Sequence, residues 1–264
     1  MRGQHITKDS YFRIIMSRIT LTAASRVGCV RSNNEDMVLA FDKLIRSNVY
    51  QTEFQTDNYS RFVIALADGM GGHRAGEVAS ELVLSNLQYF ISDLPKGLST
   101  EDVQQHMTEW LHSVNTVVNS KGLSDSALRE MGTTLVGMLY YAGHYFWMNC
   151  GDSRLYRLRD GHLQQLTTDH SLNTMTGQTK HSNVITNCIG AGCKHLYLDM
   201  EEITDDILVG DVYLLCSDGL NDMVPDVDIQ RLLTEGATAN YLCEAAIEAG
   251  GYDNVSTIVF HVND

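Results

Sequence analysis

Short apolar runs broken by polar turns run through most of the chain. Residues 19–30 are rich in β-branched and small side chains and predict a strand. A polar turn, Arg31-Ser32-Asn33-Asn34-Glu35-Asp36, separates it from a second strand at 37–41. RFVIALA (61–67) is nearly continuous in apolar residues, the pattern of a buried strand, and it stops abruptly at Asp68-Gly69-Met70-Gly71-Gly72. Glycine adopts backbone angles closed to other residues, so a tight turn is expected there. Helical spacing follows over 75–90, with Val78, Leu82, Leu87 and Phe90 on one side. A second helical stretch over 100–120 aligns Val103, Met107, Trp110, Leu111, Val114 and Val118. The β pattern returns at 133–141, 145–149, 155–159 and 162–166, with Ala142-Gly143-His144 and Asp160-Gly161 as hairpin turns. Beyond a polar stretch at 167–183, strands are predicted at 184–189, 196–202 and 212–217. Helices at 227–233 and 240–249 and a final strand at 255–262 complete the reading.

This order is not the alternation of a parallel α/β fold. It fits an α+β layered sandwich, antiparallel sheets covered by helices. At 264 residues and 44% hydrophobic content, with no Pro/Gly/Ser-rich linker, the chain suits one domain with a large core. We read residues 19–264 as that domain and 1–18 as an N-terminal extension, in which Met16 is a second candidate start.

Charge and cysteine usage narrow the function classes. Acidic residues outnumber basic ones 33 to 19 and the formal net charge is −14, which argues against nucleic acid as a partner. No apolar stretch approaches the ~20 residues of a membrane span, and the N-terminus lacks a signal-peptide core. The six cysteines show neither Cys-x-x-Cys nor zinc spacing. Cys29, Cys150, Cys216 and Cys243 lie in apolar segments and are expected as packed, reduced thiols. A soluble cytoplasmic protein is the expectation.

Three aspartates share a setting. Asp68 ends RFVIALAD and Asp218 ends VYLLCSD, each followed by glycine; Asp253 precedes Asn254 and the strand VSTIVF. Any one Asp-Gly is most simply a turn. Three carboxylates at strand ends would each be costly to desolvate and would repel one another on meeting. A hard divalent cation such as Mg²⁺ or Mn²⁺ resolves both problems. The loop 69–76 is not a dinucleotide-binding fingerprint, because Arg74 stands where its third glycine belongs, and no Walker pattern exists.

Taken in order, VGCVRSNNED (27–36), ALADGMGGHRAGEVAS (65–80), MGTTLVGMLY (131–140), CGDSRLYRLRDGHLQQLTTDHS (150–171), LLCSDGLNDMV (214–224) and GYDNVSTIVF (251–260) resemble the metal-dependent serine/threonine protein phosphatases of the PP2C type in their bacterial form. The resemblance covers about 19–262. It implies a four-layer α-β-β-α sandwich, two antiparallel sheets flanked by helices. It implies hydrolysis of phosphoserine and phosphothreonine on proteins by water activated at a binuclear Mn²⁺ or Mg²⁺ centre. By the same resemblance Asp68 would bridge the two core ions. Glu35, less directly Asp36, and the Gly69 carbonyl would help hold the second, and Asp218 and Asp253 the first. Asp152 with Asp218 matches a third, weaker site, Asn254 would orient the ligands, and Arg31 would bind the substrate phosphate in a forked contact.

Two departures stand out. Met70 occupies the place where eukaryotic relatives carry a histidine, which leaves His73 as the candidate proton donor. The stretch 167–187, which borders the site in the family, is short. Arg74, Arg154, Thr133 and Thr134 are read as structural or surface residues without a catalytic role. The resemblance implies a monomer acting on a phosphoprotein, opposing a cognate Ser/Thr kinase. The alternative is a catalytically silent module of the same fold that grips a kinase or regulator; its mark would be a lost bridging aspartate, and none is lost.

Overall fold

The computed structural model describes residues 18–56, 59–71, 75–176, 184–193 and 195–263. Strands β1 (Arg18–Arg26), β4 (Val49–Gln55), β10 (Arg154–Arg159), β11 (His162–Gln165), β14 (Val212–Cys216) and β15 (Val255–Asn263) form one antiparallel sheet in the order β11-β10-β14-β15-β1-β4. A second antiparallel sheet runs β13-β9-β8-β5-β2-β3, built from β2 (Met37–Ala40), β3 (Lys43–Ile45), β5 (Arg61–Ala67), β8 (Leu135–Tyr141), β9 (His144–Cys150) and β13 (Asp199–Glu202). A small third sheet joins β6 (Gly69–Met70), β7 (Gly132–Thr133) and β12 (Ile189–Gly190). The helices are α1 (Ala75–Asp93), α2 (Thr100–Ser124), α3 (Leu172–Thr176), α4 (Asp218–Asn221), α5 (Asp226–Thr234) and α6 (Ala239–Glu248).

Side chains on a strand alternate between faces, and here both faces of the central strands are covered. On β5, Phe62, Ile64 and Leu66 enter the core between the sheets, beside Leu215, Ile258 and Phe260. Val63, Ala65 and Ala67 face the other way, under Leu84 and Leu87 of α1 and Val103 and Leu111 of α2. On β14, Tyr213 and Leu215 point inward, while Leu214 and Cys216 meet Leu232 of α5 and Leu242 of α6. Such strands therefore read as unbroken apolar runs. Helix pair, sheet, sheet, helix pair is the four-layer sandwich the motifs implied. Ser99 caps α2, accepting from the Asp102 N–H while the Asp102 carboxylate accepts from its own. Among the described residues no helix is long and apolar enough to cross a membrane.

Several expectations need correction. The first strand ends at Arg26, not 30. On α1 the buried face is Ala75, Ala79, Val83, Leu84, Leu87 and Ile91, and Val78, Leu82 and Phe90 flank it only partly buried. Small residues at the helix start let it approach the sheet, which rotates the contact stripe away from its bulkiest side chains. Strands β3 and β4 carried no apolar run; β4 is an edge strand whose residues are mostly exposed. The strand expected at 184–189 reduces to Ile189–Gly190 and an isolated bridge between Ser171 and Ile185, and that expected at 196–202 to Asp199–Glu202. Cys29 is exposed, against expectation, whereas Cys150, Cys216 and Cys243 are buried free thiols, as is Cys188. The extension up to residue 17, Met16 included, and His73 and Arg74 lie outside the described residues.

Candidate metal centre

Antiparallel pairing brings the predicted carboxylates to one end of the sandwich. Asp36 leads into β2 and Asp68 leaves β5; Met37 pairs with Ala67, so the two aspartates are neighbours. Asp218 leaves β14 and Asp253 precedes β15, where Cys216 pairs with Thr257. Asp152 sits in the connection from β9 to β10, where the chain passes from one sheet to the other. The Ser217 hydroxyl donates to Asp36 Oδ2 at 2.8 Å and ties the two sheets together there.

Burial, then repulsion from Asp36, Asp218, Asp152 and Asp253, pushes the Asp68 carboxyl well above the usual range. Burial and then Asp152 and Asp253 raise Asp218 to about 8. Asp36 rises to about 6 through burial, partly offset by the Ser256 and Ser217 hydroxyls; Asp152 also rises to about 6 through burial and Asp169. Asp36 Oδ1 and Asp218 Oδ1 are buried without a hydrogen-bond partner. An unpaired buried carboxylate oxygen costs several kcal/mol unless the group stays protonated or a cation meets it. Among the described residues no three His, Cys, Asp or Glu side chains close into a finished cage. The carboxylates stand near enough to raise one another's proton affinity. An all-oxygen donor set with orphaned acceptors fits hard divalent ions and not the thiolate and imidazole sites of zinc.

The glycines beside the aspartates serve a purpose the sequence reading did not find. A Cβ on Gly69 would fall 2.3 Å from the Gly76 carbonyl oxygen and 2.5 Å from that of Glu35. One on Gly219 would fall 1.9 Å from the Asn254 carbonyl oxygen, and one on Gly28 2.2 Å from that of Asp253. Backbone thus packs on backbone around the site, and each glycine sets the approach of a segment that carries an acid. Gly219→Ala is expected to destabilise the fold by ~3 kcal/mol, read by thermal unfolding, since two backbones must part to admit one methyl.

Other side chains aim the acids. The Asp68 N–H donates to Thr134 Oγ1 at 3.0 Å, and its carbonyl accepts from the Thr133 hydroxyl at 2.8 Å and the Thr134 N–H at 2.9 Å. These threonines, read from sequence as plain strand formers, hold Asp68 from both sides. Asn254 accepts from the Glu35 N–H at 2.8 Å and donates to the carbonyls of Val27 and Asn33, each at 2.8 Å. It stitches residues 27–35 to the start of β15. Asp36, ranked behind Glu35 in the sequence reading, is fully buried and is the carboxylate that acts most strongly on Asp68. Glu35 is only partly buried, and burial raises its proton affinity while Arg31 lowers it.

Asp222 was missed. It raises the proton affinity of both Asp218 and Asp152. Its spacing four residues after Asp218, one turn along SDGLND, was the available signal.

Arg31 is half-exposed, and its Nη2 donates to Asp253 Oδ2 at 2.6 Å. A guanidinium has five N–H donors, so others remain for an anion at the mouth of the site. Arg154 turns away to Asp169, in contacts of 2.7 to 3.1 Å, and to the Tyr156 hydroxyl, in keeping with a structural part. A groove of about 700 Å³ begins beside the centre at Met70 and Gly71 and runs between Leu123, Glu130 and Gly192.

Strand-end aspartates gathered at one end of a four-layer antiparallel sandwich make an all-oxygen site suited to hard divalent cations. The Protein phosphatase 2C family model matches residues 49–246, and the chain belongs to that family. The serine/threonine protein phosphatase PstP of Mycobacterium tuberculosis is 34% identical over 263 residues, which take in 94% of this chain and 47% of that protein. This chain therefore spans about half the length of the first curated relatives it matches. The serine/threonine phosphatase Stp of Listeria monocytogenes is 30% identical over 88% of this chain and 91% of its own length. The catalytic domain of PstP, solved in complex with two manganese ions, superposes with a TM-score of 0.73 at 33% identity, over 94% of this chain and all of that one.

Proposed function

We propose that the chain is a metal-dependent protein phosphatase acting on phosphoserine and phosphothreonine. The observation that carries this reading is Asp68, buried among Asp36, Asp218, Asp152 and Asp253 with orphaned carboxylate oxygens beside it. In this reading Asp68 would serve both core ions, with Asp36, Glu35 and the Gly69 carbonyl helping to hold one and Asp218 and Asp253 the other. Asp152 and Asp218, joined by Asp222, would hold a third and weaker ion. The ions, Mn²⁺ or Mg²⁺, supply an activated water and neutralise phosphoryl charge when bound. Two manganese ions in the PstP catalytic domain support the core pair.

The chain's own residues do the rest. Arg31, steadied by Asp253, presents its remaining N–H donors to the non-bridging phosphate oxygens, where charge spreads as the bond to the serine or threonine oxygen breaks. Asn254 and Thr134 keep the carboxylates aimed, so little reorganisation accompanies the reaction. Nothing nucleophilic is required of the buried cysteines, and burial pushes the Cys188 and Cys243 thiols up to about 12. The substrate we propose is a phosphoprotein made by a Ser/Thr kinase, met in the cytoplasm by a monomer.

The test is release of phosphate from a phosphothreonine peptide with and without millimolar Mn²⁺. Turnover that needs the metal is the expected result. A folded, Mn²⁺-saturated chain that binds the peptide and never cleaves it would instead establish the silent module. Asp152→Asn is expected to weaken the third ion by about tenfold or more while the core pair stays filled, read by Mn²⁺ titration calorimetry.

A further inference from the structure

Behind Asp152 lies a buried imidazole that the chemistry above does not use. His170 is 4% exposed. Its Nδ1 accepts the Gly151 N–H at 3.0 Å and the Asn187 side-chain amide at 2.9 Å, and its Nε2 lies 2.9 Å from Asp199 Oδ2. A backbone N–H can only donate, so Nδ1 carries no proton. The ring proton therefore sits on Nε2 and is given to Asp199, which leaves a neutral imidazole in one tautomer. The Tyr197 ring packs on it with centroids 4.7 Å apart.

The backbone of the same residue joins two segments. The His170 N–H donates to the Gly151 carbonyl at 2.9 Å, and the Thr186 N–H donates to the His170 carbonyl at 2.7 Å. Ser171 bridges Ile185, and the Leu172 N–H donates to the Val184 carbonyl at 2.9 Å, so both ends of this excursion meet at His170. On the other side, Gly151 has φ +136° and a Cβ there would fall 2.6 Å from Thr134 Cβ. Thr134 in turn takes the Asp68 N–H. A continuous line of contacts runs from Asp199 through His170 and Gly151 to Thr134 and Asp68.

We propose that His170 is a positioning residue for the metal centre: it fixes the Gly151–Asp152 turn, and so the Asp152 carboxylate, and fastens that turn to both ends of the excursion that starts at Ser171. The inference rests on Asp152 being a metal ligand. Asp199 sets the tautomer that lets Nδ1 accept, and Asn187 supplies the second donor from the returning segment. Groups that orient ligand-bearing elements change metal affinity by about 10- to 100-fold when removed.

His170→Ala is expected to weaken the least tightly held Mn²⁺ about tenfold in titration calorimetry, and to speed amide exchange at Gly151 by a similar factor. His170→Asn keeps an acceptor oxygen close to the Nδ1 position and is expected to restore most of both. Asp199→Ala, at a partly exposed site, shifts both in the same direction and carries the comparison should His170→Ala not fold. If Asp152→Asn weakens Mn²⁺ binding while His170→Ala and Asp199→Ala bind it as the wild type does, this inference alone is overturned. If Asp152→Asn itself binds Mn²⁺ unchanged, Asp152 is no ligand and the inference falls with that reading.

Discussion

Asp68→Asn is expected to lower Mn²⁺-dependent phosphate release by ~10³-fold or more, because the group lost is the one that meets every other acid in the cluster. The amide keeps the size and the backbone hydrogen bonds to Thr133 and Thr134, so the local strand geometry survives. What changes is charge. Four carboxylates raise the proton affinity of Asp68, and a neutral side chain removes its share of that repulsion. Without metal, the variant is therefore expected to unfold at or above the wild-type temperature. With metal it is expected to gain far less than the wild type does, since a bridging ligand is gone. Loss of turnover together with loss of the Mn²⁺-induced thermal shift, in a chain that is otherwise no less stable, separates ligand loss from misfolding. Activity within tenfold of wild type would remove Asp68 from the centre.

The layered fold was legible where strands are buried on both faces, because such strands read as apolar runs whatever their pairing. RFVIALA and VYLLC announced themselves, and so did α2, whose apolar stripe faces one sheet. The edge strand VYQTEFQ did not, since an edge exposed to solvent keeps polar side chains on much of its length. The stripe of α1 was misjudged because its buried face begins with Ala75, Gly76, Ala79 and Ser80, small residues that carry little apolar signal, before it continues through Val83, Leu84 and Leu87. Around the site, the acids could be named from their motifs but not ranked. That Asp36 sits closer to Asp68 than Glu35 does follows from the pairing of Met37 with Ala67, a register no local pattern encodes.

Gly69 was read as part of a tight turn and as the donor of a carbonyl; Gly69, Gly219 and Gly28 also let two backbones touch. Such a contact needs a partner far along the chain, Asp253 for Gly28 and Asn254 for Gly219, or one across a strand–helix turn, as at Gly69. Thr134 and His170 escaped notice for a related reason. Their significance lies in which donor or acceptor they meet, and Asp68, Gly151 and Asp199 are brought to them only by the closed sandwich.

Mn²⁺ is expected to raise the melting temperature by roughly 15–30 °C near pH 8, and by much less near pH 5.5. Two core ions at a thousandfold over their dissociation constants would contribute about 4 kcal/mol each, and a chain of this size shifts by about 2–4 °C per kcal/mol. The pH dependence follows from the metal-free protein. Burial raises Asp36 and Asp152 to about 6 and Asp218 to about 8, from the ordinary aspartate value of 3.8. A carboxyl whose affinity for its proton is higher folded than unfolded favours the folded state fully below the unfolded value, and loses that advantage as pH climbs through the folded one. The metal-free chain should therefore lose stability between about pH 4 and 8, as these acids are forced to ionise beside one another. A divalent cation binds the ionised form and removes that penalty, whereas at pH 5.5 it must first displace protons. The measurement is a melting curve with and without Mn²⁺ across this range. A metal shift that stays constant or shrinks as pH rises would mean that the ions are held by groups other than these buried aspartates.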